Sequence, residues 1–170
     1  MLDKFLKQNR ESILQDWFEQ TINTYGPEMV RFLKKEKDQF SNPVRNTIIS
    51  SLDRIYDGIV SGNHVDEHHG LEEIIKVRAV QDFSPSDALS FLFDFKKIIR
   101  TAFTKSEQEP ETLVELADFD QRFDIVLKKA FDIYNNCRQK IQEIKMAEIK
   151  ARSERAFEIF KGKYYNEETK

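Results

Sequence analysis

Residues 84–103 read SPSDALSFLFDFKKIIRTAF, and this stretch decides the fold. Ser84 is a good helix N-cap, Pro85 suits the first helical position, and Asp87 at the third completes a variant of the capping box. From Ala88 to Phe103 the apolar side chains extend nearly all the way round the helix. A helix of this kind lies in the middle of a globule. The sequence therefore predicts a central helix that other helices surround.

The composition is typical of an all-α protein. The 170 residues include 5 glycines and 4 prolines, too few backbone breakers for a β-sandwich or barrel, which needs a turn every ~8–12 residues. Charged residues make up 34% of the chain, as expected for amphipathic helices with charged outer faces. The 14 phenylalanines indicate a packed core, and the length suits one domain.

Charge and cysteine content exclude several function classes. With a formal net charge of −3, the chain has no global basic field that would attract nucleic acid or an anionic membrane. No window approaches the ~18–20 apolar residues of a membrane span, and the first residues lack the features of a signal peptide. The one cysteine, Cys137, permits no internal disulfide. We therefore expect a cytoplasmic protein without a nucleic-acid partner and without membrane insertion.

Start and stop signals divide the first 80 residues into four helices. The first is predicted over Asp3 to Tyr25, where apolar residues recur at spacings of three and four until Gly26-Pro27 ends the pattern. After a short second helix, Asn42-Pro43 begins a third, which Gly62-Asn63 ends. Asp66 is predicted to cap the fourth helix.

From about Glu111 one long helix is predicted, because apolar residues keep a spacing of three and four as far as Ile144. After Lys145 the apolar stripe thins, and residues 138–163 hold eight Lys or Arg against four Glu. About fifty residues at 1.5 Å each span ~75 Å, which is more than a small globule can cover. The helix must therefore bend back, or project and pair with another chain.

We accordingly expect a globular domain over residues 1–145 and a helical extension over residues 146–170 that transmits a signal or docks a partner. Homodimerisation is expected through the long helix, since an apolar seam of this kind is typical of helix pairing. At Cys137 a small buried hydrophobe is favoured over a reactive thiol. The residues expected on this dimer or transmitter helix are Phe119, Phe123, Ile133, Cys137, Ile141, Ile144, Ile149 and Phe157.

The sequence contains no recognisable catalytic motif: no Gly-rich phosphate loop, no G-x-S-x-G, no H-E-x-x-H and no pair of cysteines. We therefore expect no enzymatic activity. His64 and His68, in the run HVDEHH, have the i, i+4 spacing of a Zn²⁺ site. Because a cap at Asp66 would leave His64 outside the helix, a solvated helix entrance is favoured over a metal site or a pH switch. No histidine lies on a strongly apolar helix, so neither haem nor another cofactor is expected.

Three charged residues interrupt apolar stretches. Arg78 falls on the apolar stripe of its helix, while Asp94 and Lys96 lie within the central helix. Burying such charges costs several kcal/mol unless they are paired. The sequence suggests the pairs Arg78–Asp82 and Asp94–Lys97, at spacings of four and three. Structural pairing is the simpler interpretation, and a ligand-facing or signal-coupling role is the alternative.

A family resemblance rests on residues 74–88, IIKVRAVQDFSPSDA, and on residues 95–100, FKKIIR. Trp17 and residues 40–44, FSNPV, add to it. These stretches resemble the RsbRD-type N-terminal domain of the RsbT co-antagonist family, over roughly residues 3–140. That domain is the sensor half of co-antagonist proteins in bacterial stress-signalling complexes.

The resemblance implies a globin-like bundle of about six helices that lacks haem, forms a dimer and receives a signal. A full co-antagonist carries a STAS domain, whereas this chain ends at Lys170 after the long helix. We therefore expect a stand-alone relative or an excised input domain. Of the family's functions, we expect only the sensor role to apply to this chain. The candidate ligand or coupling residues are Arg78, Gln81, Asp82, Ser84, Asp94 and Lys96.

Two function hypotheses follow. The first is a non-enzymatic sensory or regulatory input domain that signals through helix packing and homodimerisation to a protein partner, with either a small-molecule ligand or a partner event as the stimulus. The alternative is a stand-alone adaptor that docks a partner through its C-terminal helix and has no small-molecule ligand. A closed apolar cavity near Arg78 and Lys96 would favour the sensor, and a filled core with an exposed apolar patch would favour the adaptor.

Overall fold

The protein, in a computed structural model, is all-α, as its composition predicts. The structure describes residues 1–35, 41–81, 83–106 and 111–167, and these ranges contain no strand. Their helices are α1 (Leu2–Gln8), α2 (Arg10–Ile22), α3 (Pro27–Lys35), α4 (Pro43–Ser61), α5 (His64–Val80), α6 (Pro85–Ser106) and α7 (Glu111–Glu167). The fold class and the long C-terminal helix are confirmed, and the described ranges hold one helix more than the six or so expected.

The additional helix arises at Asn9, which divides the helix predicted over Asp3 to Tyr25. The Asn9 backbone departs from helical geometry (φ −106°, ψ 15°), and its side-chain amide donates to the carbonyl oxygen of Phe5 at 2.9 Å. Asparagine side chains compete in this way for backbone partners and interrupt helices. The predicted C-terminal end of this helix, at Tyr25, was also wrong, because α2 ends at Ile22.

Two sequence signals at the ends of α4 are confirmed. The side chain of Asn42 accepts a hydrogen bond from the backbone N–H of Arg45 at 3.0 Å, with Pro43 at the first helical position. At the other end Gly62 adopts the left-handed conformation, with φ of 72°, which glycine accepts without strain. The chain can therefore turn back within two residues and start α5 alongside α4.

The start of α5 differs from the prediction. The helix begins at His64, so His64 is its first residue rather than a residue outside it. The backbone N–H of Glu67 donates to the carbonyl oxygen of Asn63 at 3.3 Å, which closes the first helical turn before the predicted cap can act. Asp66 is therefore inside the helix and not its N-cap, and the side chain of Asp66 lies outside the described residues.

The predicted capping box at the start of α6 is confirmed. The Ser84 hydroxyl accepts a hydrogen bond from the backbone N–H of Asp87 at 3.1 Å and donates one to the Asp87 carboxylate at 2.6 Å. The backbone N–H of Ala88 donates to the Ser84 carbonyl at 2.8 Å. These bonds fix where the central helix begins.

α6 lies in the middle of the bundle, packed against α2, α5 and α7. The ring of Phe95 is fully buried, and its centroid lies 4.2 Å from Trp17 of α2 and 5.5 Å from Phe123 of α7. The Trp17 indole N–H donates to the carbonyl oxygen of Phe91 at 2.6 Å, so the largest core side chain is also satisfied as a donor. Phe93 is 58% exposed, which shows that one side of α6 faces solvent.

α4 and α5 pack with their backbones in contact because glycines lie at the crossing. A Cβ atom at Gly58 would lie 2.7 Å from the Cβ of Glu67, and one at Gly70 would lie 2.7 Å from the carbonyl oxygen of Ser51. Real Cβ atoms do not approach so closely. The two glycines therefore bring Glu67 against α4, which matters for the pocket described below.

α7 changes its surroundings along its length. Its first half packs against α5 and α6 through buried side chains, whereas residues 142–162 are exposed apart from the half-buried Ala151. The helix nevertheless continues without a break to Glu167. In the described part of the chain no helix combines the length and the apolar content that crossing a bilayer requires. The buried side chains of the first half are Thr112, Leu116, Phe119, Phe123, Val126, Ala130 and Tyr134.

Gly58→Ala is expected to destabilise the protein, although alanine is the better helix former. Alanine gains about 1 kcal/mol of helix propensity, but forcing apart a packed contact costs about 1–3 kcal/mol. Urea unfolding should therefore show a lower midpoint. Gly162→Ala is the matched control, because nothing lies near its added Cβ, and it should leave the protein as stable or slightly more stable. A Gly58→Ala midpoint at or above the parent's would contradict the close crossing.

Candidate functional site

Arg78 is buried completely, at the junction of α5, α2 and the start of α6. Its Nε donates to the carbonyl oxygen of Ala88 at 2.9 Å. Its Nη2 donates to the carbonyl oxygen of Asp87 at 2.6 Å and to the hydroxyl of Thr24 at 2.9 Å. The guanidinium thus ties the end of α5 to the first turn of α6. Asp82, the partner suggested by the sequence, lies outside the described residues.

Aromatic rings fill the space beside this guanidinium. Its central carbon lies 4.4 Å from the ring centroid of Phe83 and 5.4 Å from that of Tyr25. Burial lowers the pKa of Arg78, and it raises the pKa of Tyr25. Nη1 of Arg78 and the hydroxyl oxygen of Tyr25 are buried without a hydrogen-bond partner among the described residues. Arg78 is therefore held by two carbonyl groups, the Thr24 hydroxyl and ring faces.

Lys96 is paired in a way that the sequence did not indicate. Its Nζ lies 3.0 Å from a carboxylate oxygen of Asp124 and 3.4 Å from one of Asp120, both on α7. The suggested pair of Asp94 with Lys97 is wrong: no ion pair joins these two described residues, because Lys97 extends into solvent. Lys96 instead ties the central helix to α7.

The five candidate residues that the structure describes do not converge on one site, and the sixth, Asp82, lies outside the described residues. Arg78 and Ser84 both form hydrogen bonds with the backbone of Asp87 at the start of α6, where Ser84 acts as the helix cap. Gln81 is exposed just after α5, and Asp94 is half-buried on α6. The described members of the set therefore lie in separate surroundings, and none of them lines the pocket described next.

A pocket of about 270 Å³ lies between α4, α5 and α7. Its walls are mostly apolar, and a few charged side chains lie among them. The lining residues are Gly58, Ile59, Gly62, His64, Glu67, Phe119, Arg122, Phe123, Ile125, Val126 and Lys129. We name this feature the α4–α5–α7 pocket.

The buried carboxylate of Glu67 is the central polar group of the pocket. Its side chain is 2% exposed, and its oxygens lie 3.1 Å from Nζ of Lys129 and 3.4 Å from Nδ1 of His64. A buried carboxylate needs such partners because burial of an unpaired charge is costly. The pair therefore links α5 to α7 at the wall of a cavity.

Sequence reasoning missed this pair because its members are 62 residues apart. One signal was present: Glu67 precedes Leu71 by four residues and Ile74 by seven, so an acidic residue occupies the apolar stripe of α5. The histidine run contributes only His64 to the pocket, since His68 lies 3.6 Å from Glu72 on the exposed side. Within the described ranges, no group of three or more histidine, cysteine, aspartate or glutamate side chains is placed to hold a metal ion.

The residues expected on the dimer or transmitter helix fall into three groups. Phe119 and Phe123 are buried in the protein's own core and line the pocket. A second group is half-buried against the bundle: Ile133, Cys137 and Ile141. Burial raises the pKa of the Cys137 thiol, as for a packed side chain. The third group, about 60% exposed, is Ile144, Ile149 and Phe157.

Lys129→Met is expected to lower the free energy of unfolding by about 2 kcal/mol, because it leaves the buried Glu67 carboxylate without its closest partner. The double variant Glu67→Gln with Lys129→Met should recover at least half of that loss, since the buried charge is then gone. Urea unfolding measures both. Lys128→Met, on the exposed side of the same turn, is the control and should change little. Additive losses in the double variant would contradict the pairing.

Comparison with known proteins identifies the family of this chain. The family model for the RsbT co-antagonist protein rsbRD N-terminal domain matches residues 11–148, which is most of the chain. Comparison with curated proteins and with solved structures gave no significant match. The resemblance carried by residues 74–88 and 95–100 is therefore confirmed. The chain belongs to the family of RsbT co-antagonist rsbRD N-terminal domains, which are helical, globin-like and regulatory.

Proposed function

We propose that this protein is a non-enzymatic sensory input domain that acts in the cytoplasm as a homodimer and passes its signal to a protein partner through helix packing. The family supplies the regulatory role. The observation that carries the proposal is the continuity of α7, which runs unbroken from Glu111 to Glu167 while its surroundings change from core to solvent. One rigid element thus connects the globular part to an uncovered end.

The uncovered end carries an apolar stripe of its own. We define the α7 stripe as Met146, Ile149, Phe157 and Phe160, which are 60–64% exposed. At 3.6 residues per turn, Phe157 lies about 160° around the helix from Phe123 of the core. By the same count Met146, Ile149 and Phe160 lie about 140°, 80° and 100° from Phe123, so the stripe lies outside the side that the protein's own core covers.

An exposed apolar stripe of this kind indicates an interaction surface. In a symmetric dimer the same stripe of each protomer would bury the other, as in paired helices with a narrow apolar seam and charged flanks. We propose that residues 146–163 form this pairing or docking segment, and that the domain over residues 1–145 folds without them. A signal that shifts α7 in the globule would then alter the pairing.

The adaptor alternative is supported by a different observation. Residues 138–163 carry eight basic and four acidic side chains, so the flanks of the α7 stripe suit an acidic partner surface better than a second basic helix. By the criterion given above, the rings that fill the space beside Arg78 and the exposed α7 stripe support the adaptor. The α4–α5–α7 pocket, which neither Arg78 nor Lys96 lines, is the observation that supports the sensor, because an adaptor needs no cavity. Native mass spectrometry of protein purified from its host would separate the two, since a retained small molecule is expected only for the sensor.

Sedimentation equilibrium at micromolar concentration should give the mass of two chains for the parent protein. Ile149→Glu with Phe157→Glu should shift the mass toward one chain, because the substitutions place charges in the proposed seam. Ile159→Glu is the matched control. Ile159 is 65% exposed but lies about ten full turns after Phe123, so it is on the side of the helix that carries Phe123 and not on the side of the α7 stripe. It should leave the dimer intact.

Truncation after Lys145 should weaken the dimer while unfolding stays cooperative. A parent protein with the mass of one chain would contradict homodimerisation. Loss of the cooperative transition on truncation would show that the segment belongs to the core.

A further inference from the structure

We propose that the α4–α5–α7 pocket binds a small apolar carboxylate, a monoanion with about ten non-hydrogen atoms. This inference rests on the proposed sensory function, for which it names a class of ligand. The pocket's 270 Å³ is close to the lower limit of small-molecule sites. It would hold about nine water-sized atoms at ~30 Å³ each, which suits a small ligand.

The apolar part of the ligand is indicated by the walls. Phe119 and Phe123 are buried, and their rings stack with centroids 5.7 Å apart. Ile59 and Val126 are also among the lining residues. Such walls bury a hydrocarbon chain or a single ring and offer it no hydrogen bonds.

The negative charge is indicated by the balance of charged groups around the pocket. Glu67 is the one carboxylate among the described lining residues, and its oxygens already lie against Lys129 and His64. Arg122 also lines the pocket, and it has no ion-pair partner in the described ranges. An incoming ammonium would have to compete for Glu67 beside two permanent cations. An incoming carboxylate meets Arg122 and Lys129, and a guanidinium binds a carboxylate through two parallel hydrogen bonds.

The site also lies where it can act on α7. Phe119, Arg122, Phe123, Val126 and Lys129 all belong to that helix, in the half that packs against the bundle. A carboxylate that shares Lys129 with Glu67 would change the ion pair between α5 and α7. Occupancy of the pocket would thus alter the packing of the helix that leads to the α7 stripe.

The proposal is tested by titrating the full-length protein with sodium octanoate in a calorimeter. Octylammonium and 1-octanol serve as probes with the same chain and a different charge. We expect saturable binding of one octanoate per chain, and binding of the other two at least tenfold weaker. Arg122→Met should weaken octanoate binding at least tenfold and fold normally, since its side chain is exposed. Lys128→Met should leave the affinity unchanged.

Three results would overturn the site: no saturable octanoate binding, equal binding of octylammonium or octanol, or an Arg122→Met variant with the parent's affinity. Several octanoates bound per chain regardless of Arg122 would count as detergent-like adsorption and equally overturn it. Sedimentation of the octanoate-loaded protein separates this inference from the proposed function. Octanoate bound at the site without any change in association would support the site and contradict signalling through dimerisation.

Discussion

The length of α7, 57 residues in a chain of 170, is the constraint on which the rest of the structure depends. Such a helix is about 85 Å long, whereas a globule of this size has a radius of gyration of about 15 Å. Part of α7 must therefore remain uncovered by its own chain. The buried half supplies a wall of the core, whereas the apolar side chains of the other half are not covered by the part of the chain that the structure describes. The proposed pairing with a second chain would bury them.

The sequence predicted what local chemistry decides. Ser84 and Asp87 lie within one turn, so the cap of α6 needs no tertiary information. Asn42 and Gly62 mark the ends of α4 for the same reason. Asn9 was also a local effect and was missed, because an asparagine inside an apolar pattern is compatible with both a continuous and an interrupted helix.

The sites that depend on distant residues could not be predicted. Arg78 was recognised as a buried charge, but its partners proved to be carbonyl groups of the first turn of α6 and aromatic rings. No periodicity reveals that a guanidinium will pack against Phe83. Glu67 and Lys129 come together because glycines at the α4–α5 crossing bring Glu67 against α4 and because α7 covers the same spot. The helical pattern identified each residue's face, whereas the pocket follows from how three helices meet.

Hydrogen exchange along α7, followed as a function of protein concentration, tests most directly whether the second half is held by another chain. The account predicts that backbone amides of residues 116–130 exchange slowly at every concentration, because they belong to the core. Amides of residues 146–160 should exchange rapidly in dilute protein and become protected as the concentration rises through the dimer dissociation constant. Protection of residues 146–160 that is the same at all concentrations would contradict the account.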